Sequence, residues 1–568
     1  MTSIRYLLLL SVLPLLTCCS NGGERSVDWS DDIRLNQVGY YPQSTKKAVI
    51  TRPTSTEGFD VIDAETGNIA FSGKLSDTQS WPMSGEAVSV ADFTAFNVEG
   101  SYYIQVDGGA MSHSFEIRQD ILSDALIAAV RSLYYQRASM ALEPAYAGIW
   151  SRSAGHPDDS VLFHPSSGRS GVMSSPRGWY DAGDYGKYVV NGAFPLGQLL
   201  LLYEQYPELM SDGTLNIPES GNGIPDFLDE LKYEMDWLLT MQDDDGGLFF
   251  KLTTKGFEGM VLPELATNQR YVIGKGTGPS LDFAAVAAKF ARSFEAADSE
   301  YAKTCMDAAV RAWNWAMANP GVAYTNPEDI STGQYGDVDF KEEFYWAAAE
   351  LYLTTGAERY RNFLADNPIM FEFTPGESWR TFMHFIGAFS LIDQANDQQL
   401  ADQLRQQIVQ SAKNLLRKAA TNDYFQPISD FQWGSNSDVM NAAMIVAQAY
   451  RIDGDPAFLD GVTAFTDYIF GRNATGYSFL TGFGSLTPMF IHHRPSAGDD
   501  VAAPVPGLLS GGPNSAKQDA SEVEYAENAP PMKCWVDQEP SYASNEICLN
   551  WNAPLVYALG FLEAEANR

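Results

Sequence analysis

The feature that most constrains the fold is helical periodicity, which begins near Leu122 and recurs to the end of the chain. About a dozen amphipathic segments are separated by long connections rich in Gly and Pro. No fixed sequence period relates these segments, which argues against a regular repeat array. We therefore predict a closed, all-α barrel of paired helices whose loops form a cleft at one end. The predicted helices are 122–140, 188–205, 225–241, 280–294, 302–317, 342–354, 380–394, 398–419, 439–451, 456–470 and 553–566.

The part of the chain that precedes these helices has a different pattern. Residues 33–118 show short stretches of alternating apolar and polar residues, which turn signals rich in Gly separate. Such strands are typical of a β-sandwich of immunoglobulin type. A chain of 568 residues also exceeds what one hydrophobic core normally holds. The sequence therefore predicts a multidomain protein, with a sandwich at 33–118, a joint near 120–123 and a helical domain at 122–568.

The charge of the chain excludes two classes of partner. There are 37 basic and 72 acidic residues, so the formal net charge is 37 − 72 = −35. A surface this acidic repels nucleic acid and anionic lipid, and we expect neither as a partner. Acidity alone does not indicate a substrate, and it also fits a strongly hydrated surface of an exported protein. We expect a monomer.

The first 19 residues are typical of an export signal. Arg5 precedes an apolar run at 6–16, which is too short to span a bilayer but suits a signal peptide. Cys18 and Cys19 follow this run directly, as in bacterial lipoprotein signals. We expect export, with a lipid anchor at Cys19 or Cys18 at the cell envelope. The alternative is an ordinary cleaved signal followed by secretion.

The other cysteines do not form a disulfide framework. Cys305, Cys534 and Cys548 are too few for one, and their spacing suits no zinc site. Cys534 and Cys548 can pair in an oxidising compartment or remain buried free thiols, and the sequence leaves both open.

The segment GWYDAGDYGKY, residues 178–188, places two carboxylates among aromatic rings. Asp181 and Asp184 are close enough to share a water molecule, which one carboxylate can deprotonate while the other orients it. Two aspartates before a helix more often act as a cap and a turn residue. The surrounding aromatic residues favour a sugar subsite instead, since flat rings stack on pyranoses. They are Trp179, Tyr180, Tyr185 and Tyr188.

A second acidic and aromatic cluster lies near the end of the chain, at 541–554. Glu546 precedes the last predicted helix, and burial there would raise the pKa of its carboxyl and allow it to act as a general acid. The alternative is a glutamate in the first helical turn that stabilises the helix dipole. Cleavage of a glycosidic bond needs one protonated and one ionised carboxyl, so the two clusters together indicate that chemistry.

Two further groups are weaker candidates. His492 and His493 are adjacent and point in different directions, so they rarely bind one metal; a contact of one histidine and Arg494 with a sugar is the better interpretation. The acidic run 243–246 resembles a calcium loop only loosely, because no bidentate glutamate follows at the required spacing. We predict a turn there and no metal site.

Taken together, these segments resemble glycoside hydrolase family 9, the cellulase family with an (α/α)6 barrel. Several blocks occur in the family order, and the opening segment 33–40 is similar to the immunoglobulin-like domain that precedes many members. The resemblance covers nearly the whole mature chain. The matching blocks are GWYDAGDYGKY, 222–230, 431–436, 478–484 with 492–494, 506–513, and the C-terminal signature from Trp535 to Ala553.

The resemblance implies a role for each matching residue. Asp184 would be the catalytic base, Asp181 its partner on the attacking water, and Glu546 the general acid. The remaining signature positions are expected near the scissile sugar, with Asp537 and His492 in the catalytic group and the others binding substrate. The substrate-binding residues are Arg494, Trp551 and Tyr542.

The resemblance also implies an inverting reaction on β-1,4-glucosidic bonds, with a β-glucan polysaccharide or oligosaccharide as substrate and no required cofactor. A structural Ca²⁺ ion is compatible with it. Cys548 departs from the usual small or hydroxyl residue, and the stretch 149–177 is a candidate wall that would close one end of the cleft. The alternatives are an exo-acting β-glucosidase, cellodextrinase or β-glucosaminidase on the same fold, and a glycan-binding lipoprotein without activity.

Overall fold

The computed structural model describes residues 29–51, 58–106 and 109–568, which form an N-terminal β region followed by a helical region. The export signal predicted at 1–19, including Cys18 and Cys19, lies outside the described residues. Among the described residues, no helix has the length and apolar character needed to cross a bilayer.

The N-terminal region is a sandwich of two antiparallel sheets. One sheet has the order β1-β2-β6-β5 and the other β4-β3-β7-β8, with β9 also paired to β7. Alternate residues such as Val61 and Ile104 point into the space between the sheets and are fully buried. The strands are β1 Ile33–Arg34, β2 Lys47–Ile50, β3 Gly58–Asp63, β4 Ile69–Lys74, β5 Gln79–Trp81, β6 Glu86–Asp92, β7 Gly100–Val106, β8 Ala110–Met111 and β9 Phe115–Ile117.

The helical region contains a ring of helices within a second ring. Helices α3, α5, α7, α10, α12 and α15 are buried along most of their length and form the inner ring. Helices α1, α4, α6, α8, α11 and α13 pack outside them, each against at least one inner helix. The predicted fold class, a β-sandwich followed by an (α/α)6 barrel, is confirmed.

The predicted helices end within five residues of the observed bounds, but one barrel helix, α8, was not predicted and one predicted helix is interrupted. The predicted helix 380–394 is broken at Phe382, whose φ of −112° departs from helical geometry. The helices are α1 Ser123–Tyr135, α2 Pro144–Ala147, α3 Val189–Gln205, α4 Asp226–Thr240, α5 Thr277–Phe294, α6 Ser299–Ala318, α7 Lys341–Thr355, α8 Glu358–Asp366, α9 Ser378–Thr381, α10 Met383–Gln394, α11 Gln398–Ala419, α12 Ser435–Asp453, α13 Pro456–Ile469, α14 Arg494–Gly498 and α15 Leu549–Ala566.

A small sheet on the barrel carries the connection into α3. Its strand order is β11-β10-β14-β13-β12, and only the β10 and β14 pair is parallel. Since β12 directly follows the Asp181–Asp184 loop, the sheet fixes the end of that loop. These strands are β10 Val161–Phe163, β11 Val172–Met173, β12 Lys187–Tyr188, β13 Lys251–Thr253 and β14 Tyr271–Ile273.

Polar contacts join the sandwich to the barrel. The carboxylate of Glu86 in β6 accepts hydrogen bonds from Arg34 of the sandwich at 3.1 Å and from Lys533 of the barrel at 2.6 Å. The hydroxyl of Tyr424, also in the barrel, donates to the same carboxylate. This cluster is largely shielded from solvent, so it fixes how the two regions pack together.

Candidate active site

Backbone hydrogen bonds bring three segments that are distant in sequence into one site. Ala182 pairs with Cys548, and the amide of Leu549 donates to the carbonyl of Asp181 at 3.0 Å. His492 pairs in parallel with Glu546. The loop that carries the two aspartates therefore lies directly against the segment 546–548, which carries the glutamate.

The glycine between the two aspartates is needed for close approach. A Cβ atom on Gly183 would lie 2.1 Å from the carbonyl oxygen of His492, which is backbone and cannot move aside. Arg494 donates to the carbonyl of Gly183 through its backbone amide at 3.1 Å and its Nη1 atom at 2.7 Å. The Asp-Ala-Gly-Asp sequence thus reflects tight packing between these segments.

Asp181 is buried and held by two hydrogen bonds. Its Oδ1 accepts from Nδ2 of Asn191 at 2.6 Å, and its Oδ2 accepts from the hydroxyl of Tyr335 at 2.6 Å. Burial, and then the charge of neighbouring Asp184, raise the pKa of Asp181. The carboxyl is therefore rigidly oriented, and its protonation depends on the charge beside it.

Asp184 faces the same space with different partners. Its Oδ2 accepts from the amide of Gly186 at 3.0 Å and from the hydroxyl of Tyr188 at 3.2 Å. Helix α3 begins only at Val189, with Tyr188 as its cap residue. Neither Asp181 nor Asp184 therefore caps the helix, although the Asp184 carboxylate does hold the local turn through the amide of Gly186.

Glu546 has the environment of a general acid. Its side chain is half-buried in the cavity wall, and burial raises its pKa well above the usual range; the charge of Asp184 adds to this effect. Arg494 opposes the rise. Helix α15 begins at Leu549, so Glu546 does not lie in the first helical turn, and the helix-dipole alternative fails.

The three carboxyl groups line one cavity of about 350 Å³. Trp379 and Trp551 are almost fully covered, whereas Trp433 and Phe257 expose 39% and 51% of their surface and are available for stacking. The other lining residues are mostly polar, as a site for a hydroxylated ligand requires. The complete lining is Asp181, Ala182, Asp184, Tyr188, Phe257, Gly333, Gln334, Tyr335, Glu377, Ser378, Trp379, Trp433, Ser437, Asp438, Glu546, Cys548, Asn550 and Trp551.

Four predicted site residues do not line this cavity. Arg494 is buried against Gly183 and donates from Nε to the carbonyl of Glu258 at 2.9 Å, so its contacts are with the loop backbone. Tyr542 donates its hydroxyl to the carbonyl of Gln518 at 2.8 Å, and its ring lies 5.5 Å from that of Trp433. The others are Asp537 and His492.

His492 and Asp537 lie beside the segment that carries Glu546. Nδ1 of His492 lies 2.8 Å from the carbonyl of Glu539, which can only accept, so Nδ1 carries the proton and Nε2 is left as an acceptor. Burial lowers the pKa of His492, which keeps the ring neutral. The carboxylate of Asp537 accepts backbone amides of Met489 and Phe490. Asp537 thus holds a loop beside the cavity.

Several residues of the site were not predicted. Tyr335 lies in a loop, Asn191 in the inner helix α3 and Trp379 in the short helix α9. Neither periodicity nor composition distinguishes them. Trp433 belongs to the block 431–436, so that block carried a signal for it. The pairing of Tyr335 with Asp181 has no signal in the sequence.

Lys251 was also missed, and it is a buried cation whose charge interacts with both aspartates. Its Nζ donates to the carbonyl of Gly333 at 2.6 Å and to Oδ1 of Asn326 at 2.8 Å. Burial lowers the pKa of Lys251 to about 7, and the charges of Asp184 and Asp181 oppose that decrease. Lys251 therefore fixes the loop that carries Tyr335 while its charge acts on both carboxyl groups.

Three other sequence hypotheses can be compared with the structure. Cys305, Cys534 and Cys548 are buried free thiols, so Cys534 and Cys548 are not paired. None of the residues 149–177 lines the cavity, and this stretch extends the small sheet through β10 and β11, so the wall at one end of the cleft stays a prediction.

The acidic run 243–246 forms a turn, where Asp243 and Asp245 contact Lys275. Among the described residues, no cluster of three or more His, Cys, Asp or Glu side chains could hold a metal ion.

A helical barrel whose cleft joins buried carboxyl groups to exposed aromatic rings defines a glycoside hydrolase. The family model for glycosyl hydrolase family 9 matches residues 123–559, and the model for the cellulase N-terminal ig-like domain matches residues 28–110. The chain belongs to glycosyl hydrolase family 9, and the resemblance seen in the sequence is confirmed.

Similar proteins agree with this assignment over the whole length. The chain is 39% identical to the xyloglucan-specific endo-beta-1,4-glucanase BoGH9A of Bacteroides ovatus, covering 100% of this chain and 99% of the relative. It is 33% identical to endoglucanase D of Acetivibrio thermocellus, covering 93% and 83%. A solved structure of a Bacteroides ovatus GH9 protein superposes with a TM-score of 0.88 at 39% identity, covering 94% of this chain and 99% of that one.

Proposed function

We propose that this protein is an exported, inverting endo-β-1,4-glucanase that acts on xyloglucan or a similar β-1,4-glucan. The observation that carries the proposal is that Asp184 and Glu546 line one cavity in contrasting environments. Asp184 accepts hydrogen bonds that stabilise a carboxylate, whereas burial beside that charge keeps a proton on Glu546. A base and an acid are thus available at the same pH.

The reaction follows from the carboxylate of Asp184 and the protonated carboxyl of Glu546. Glu546 gives its proton to the glycosidic oxygen as the bond to the anomeric carbon breaks. A water molecule attacks that carbon from the opposite face, and Asp184 takes its proton. Asp181, oriented by Asn191 and Tyr335, accepts the second hydrogen of the water and aligns it. One displacement inverts the anomeric configuration, for which the two reacting carboxyl groups should lie about 6.5–9.5 Å apart.

The substrate class is supported by the similarity to named enzymes. The Bacteroides ovatus relative is named as xyloglucan-specific and aligns along the whole chain. Trp433 and Phe257 line the cavity with exposed rings, on which the sugar rings of a glucan can stack. The exo-acting alternatives predict release of short sugars from a chain end instead.

Export rests on the N-terminal sequence. The apolar run and Cys18-Cys19 support a lipid anchor, which would place the enzyme at the cell envelope where polysaccharide arrives from outside. Labelling with a fatty acid tests the anchor, because Cys19→Ala should abolish the label if Cys19 is lipidated. A label that persists in the Cys18→Ala, Cys19→Ala double variant would contradict the anchor.

The catalytic assignment is tested with purified protein on xyloglucan, carboxymethylcellulose, cellotetraose and chitosan oligomers. We expect wild type to lower the viscosity of at least one polymer early, and proton NMR to show the α-anomer first. Glu546→Gln and Asp184→Asn should each lose at least about 10³-fold in kcat. The matched control is Glu208→Gln, which changes an exposed glutamate outside the cavity.

Other outcomes lead to different conclusions. If wild type cuts none of the substrates but retains them on an affinity gel, the glycan-binding alternative is correct. Early release of monomer or dimer without a viscosity drop would indicate exo action, and a β-anomer as first product would contradict inversion.

A further inference from the structure

Two adjacent apolar side chains protrude from the loop before His492. Met489 exposes 41% of its surface and Phe490 exposes 62%. A single exposed apolar residue is common on protein surfaces and needs no explanation. Two such residues side by side, next to an active site, are a candidate contact surface for a ligand.

The loop is held in place where it presents these side chains. Oδ2 of Asp537 accepts the amide of Met489 at 2.9 Å, and Oδ1 accepts the amide of Phe490 at 2.9 Å. A carboxylate that binds two successive backbone amides leaves this part of the loop little freedom. The exposed pair is therefore a preformed surface.

The Asp537 carboxylate is also hydrogen-bonded to the segment that carries Glu546. Nδ2 of Asn545 donates to Oδ1 of Asp537 at 3.1 Å and to the carbonyl of Phe490 at 2.9 Å. The backbone carbonyl of Asn545 accepts the amide of His492 at 2.9 Å. Asn545 is fully buried and immediately precedes Glu546, so one network positions both the exposed pair and Glu546.

This network determines which side of the cleft the exposed pair occupies. Phe490 is two residues before His492, which pairs with Glu546, and two residues of chain span at most about 7 Å. The ring of Tyr542 lies 6.1 Å from that of His492 and 5.5 Å from that of Trp433, which lines the cavity. A row of rings thus leads from the cavity through Tyr542 to His492, on the side of Glu546.

We propose that Met489 and Phe490 form a platform for the leaving-group portion of the glucan, and that Asp537 is a positioning residue that fixes this platform. The inference rests on the proposed function, in which Glu546 protonates the oxygen of the leaving sugar. That sugar and those beyond it must then extend on the side of Glu546. The apolar face of a pyranose fits an exposed aromatic ring beside a flexible thioether.

The platform is tested with Phe490→Ala, using xyloglucan and reducing-end-labelled oligosaccharides of whichever glucan wild type cuts. We expect KM for the polymer to rise at least fivefold, with a smaller change in kcat. The labelled products should shift towards shorter reducing-end fragments, because binding of long leaving groups is weakened. Met317→Ala is the control, since Met317 is exposed on the distant helix α6.

Asp537→Asn tests the positioning role through a different measurement. It removes one acceptor from the loop, so KM and the cleavage pattern should change in the same direction as in Phe490→Ala. A role confined to the loop leaves the alkaline limb of the pH profile in place, whereas a catalytic role for Asp537 shifts that limb or abolishes activity.

The outcomes separate this inference from the proposed function. If wild type cuts no glucan, the proposed function fails and the platform fails with it. If wild type is active and Phe490→Ala keeps the wild-type KM and fragment pattern, only the platform is wrong. Circular dichroism and melting temperature show whether each variant remains folded.

Discussion

The hydroxyl of Tyr335 lies 2.6 Å from Oδ2 of Asp181, although 154 residues separate the two in the chain. The hydrogen bond crosses from a loop of the barrel to the catalytic loop and fixes one oxygen of a buried carboxyl. Because Nδ2 of Asn191 fixes the other oxygen, the carboxyl cannot rotate freely. Orientation of this group is thus built into the protein before substrate binds.

Tyr335→Phe should lower kcat by about 10-fold to 100-fold, since it leaves an oxygen of the buried Asp181 carboxyl without its donor, which costs about 1–3 kcal/mol. The loss should appear in kcat more than in KM, because Asp181 acts on the water. The matched control is Tyr134→Phe, which removes a buried hydroxyl that has no hydrogen-bond partner. Equal effects of the two substitutions on kcat would contradict the role of Tyr335.

The alkaline limb of activity should depend on Glu546. This group must be protonated to act, and burial beside Asp184 raises its pKa. Activity should therefore persist through neutral pH and fall as pH rises through the raised pKa. The measurement is kcat/KM from pH 4 to pH 10 in buffers of constant ionic strength. An alkaline limb near pH 4.5, the ordinary range of a glutamate, would show that Glu546 is not the acid.

Thermal stability should fall as pH rises from about 5 to 7. Burial raises the pKa of Glu234 to about 8 and that of Asp438 to about 7, so both hold protons in the folded state that the unfolded chain has lost. Folding then binds protons, and the free energy of unfolding decreases with rising pH across this window. Above pH 7 Lys251 has the opposite effect on stability, because burial lowers its pKa to about 7. The unfolded chain then holds a proton that the folded protein has lost, so stability rises with pH.

The test of this linkage is Glu234→Gln, which removes one titrating group but keeps an amide in its place. Between pH 5 and pH 7 the variant should lose about 2 kcal/mol less stability than wild type. Exposed Glu208→Gln serves as the control for charge alone. Parallel curves of stability against pH for Glu234→Gln and wild type would contradict the prediction.

Glu86→Ala should loosen the joint between sandwich and barrel. The substitution leaves Arg34, Lys533 and Tyr424 without their shared acceptor, and we expect a cost of about 1–3 kcal/mol. The melting temperature should fall, and limited proteolysis should cut between the two regions sooner. Glu65→Ala, on an exposed turn of the sandwich, should change neither measurement.

The sequence predicted the elements that have a periodic apolar pattern and the site residues that are clustered within one short segment. Apolar spacing located the barrel helices other than α8, which has only nine residues, because each must bury one face against the ring. Alternation located several strands of the sandwich. Asp181, Asp184 and Glu546 were found because carboxylates among aromatic residues are unusual. These signals are local, so a single stretch of chain contains them.

The remaining parts depend on contacts between distant segments. Tyr335 and Lys251 lie in ordinary local contexts, and their proximity to the aspartates exists only after folding. Asp537 was predicted as a catalytic group, but its carboxylate is occupied by Met489, Phe490 and Asn545. A signature position identifies a residue near the site without stating what its side chain touches.

Cys548 lies in the wall of the active-site cavity, but we expect its thiol to be unreactive. Its Sγ lies in the cavity wall, 3.2 Å from Nδ2 of Asn191 and 3.5 Å from the carbonyl of Asp181. Burial, and then the charge of Asp181, raise the pKa of this thiol well above its usual range, so it should remain a protonated, weak nucleophile. Iodoacetamide at pH 7.5 should therefore leave activity intact, although the thiol lies beside the reacting groups.

Cys548→Ser separates packing from reactivity. A hydroxyl can bond Asn191 as the sulfur does, so kcat should change less than about threefold, whereas Cys548→Val removes that partner and should lower kcat further. Mass spectrometry of the tryptic peptide after alkylation measures the reaction directly. Rapid alkylation of Cys548 in the folded enzyme, with parallel loss of activity that Cys548→Ser prevents, would show that the thiolate forms beside Asp181. The buried environment would then not keep this thiol protonated.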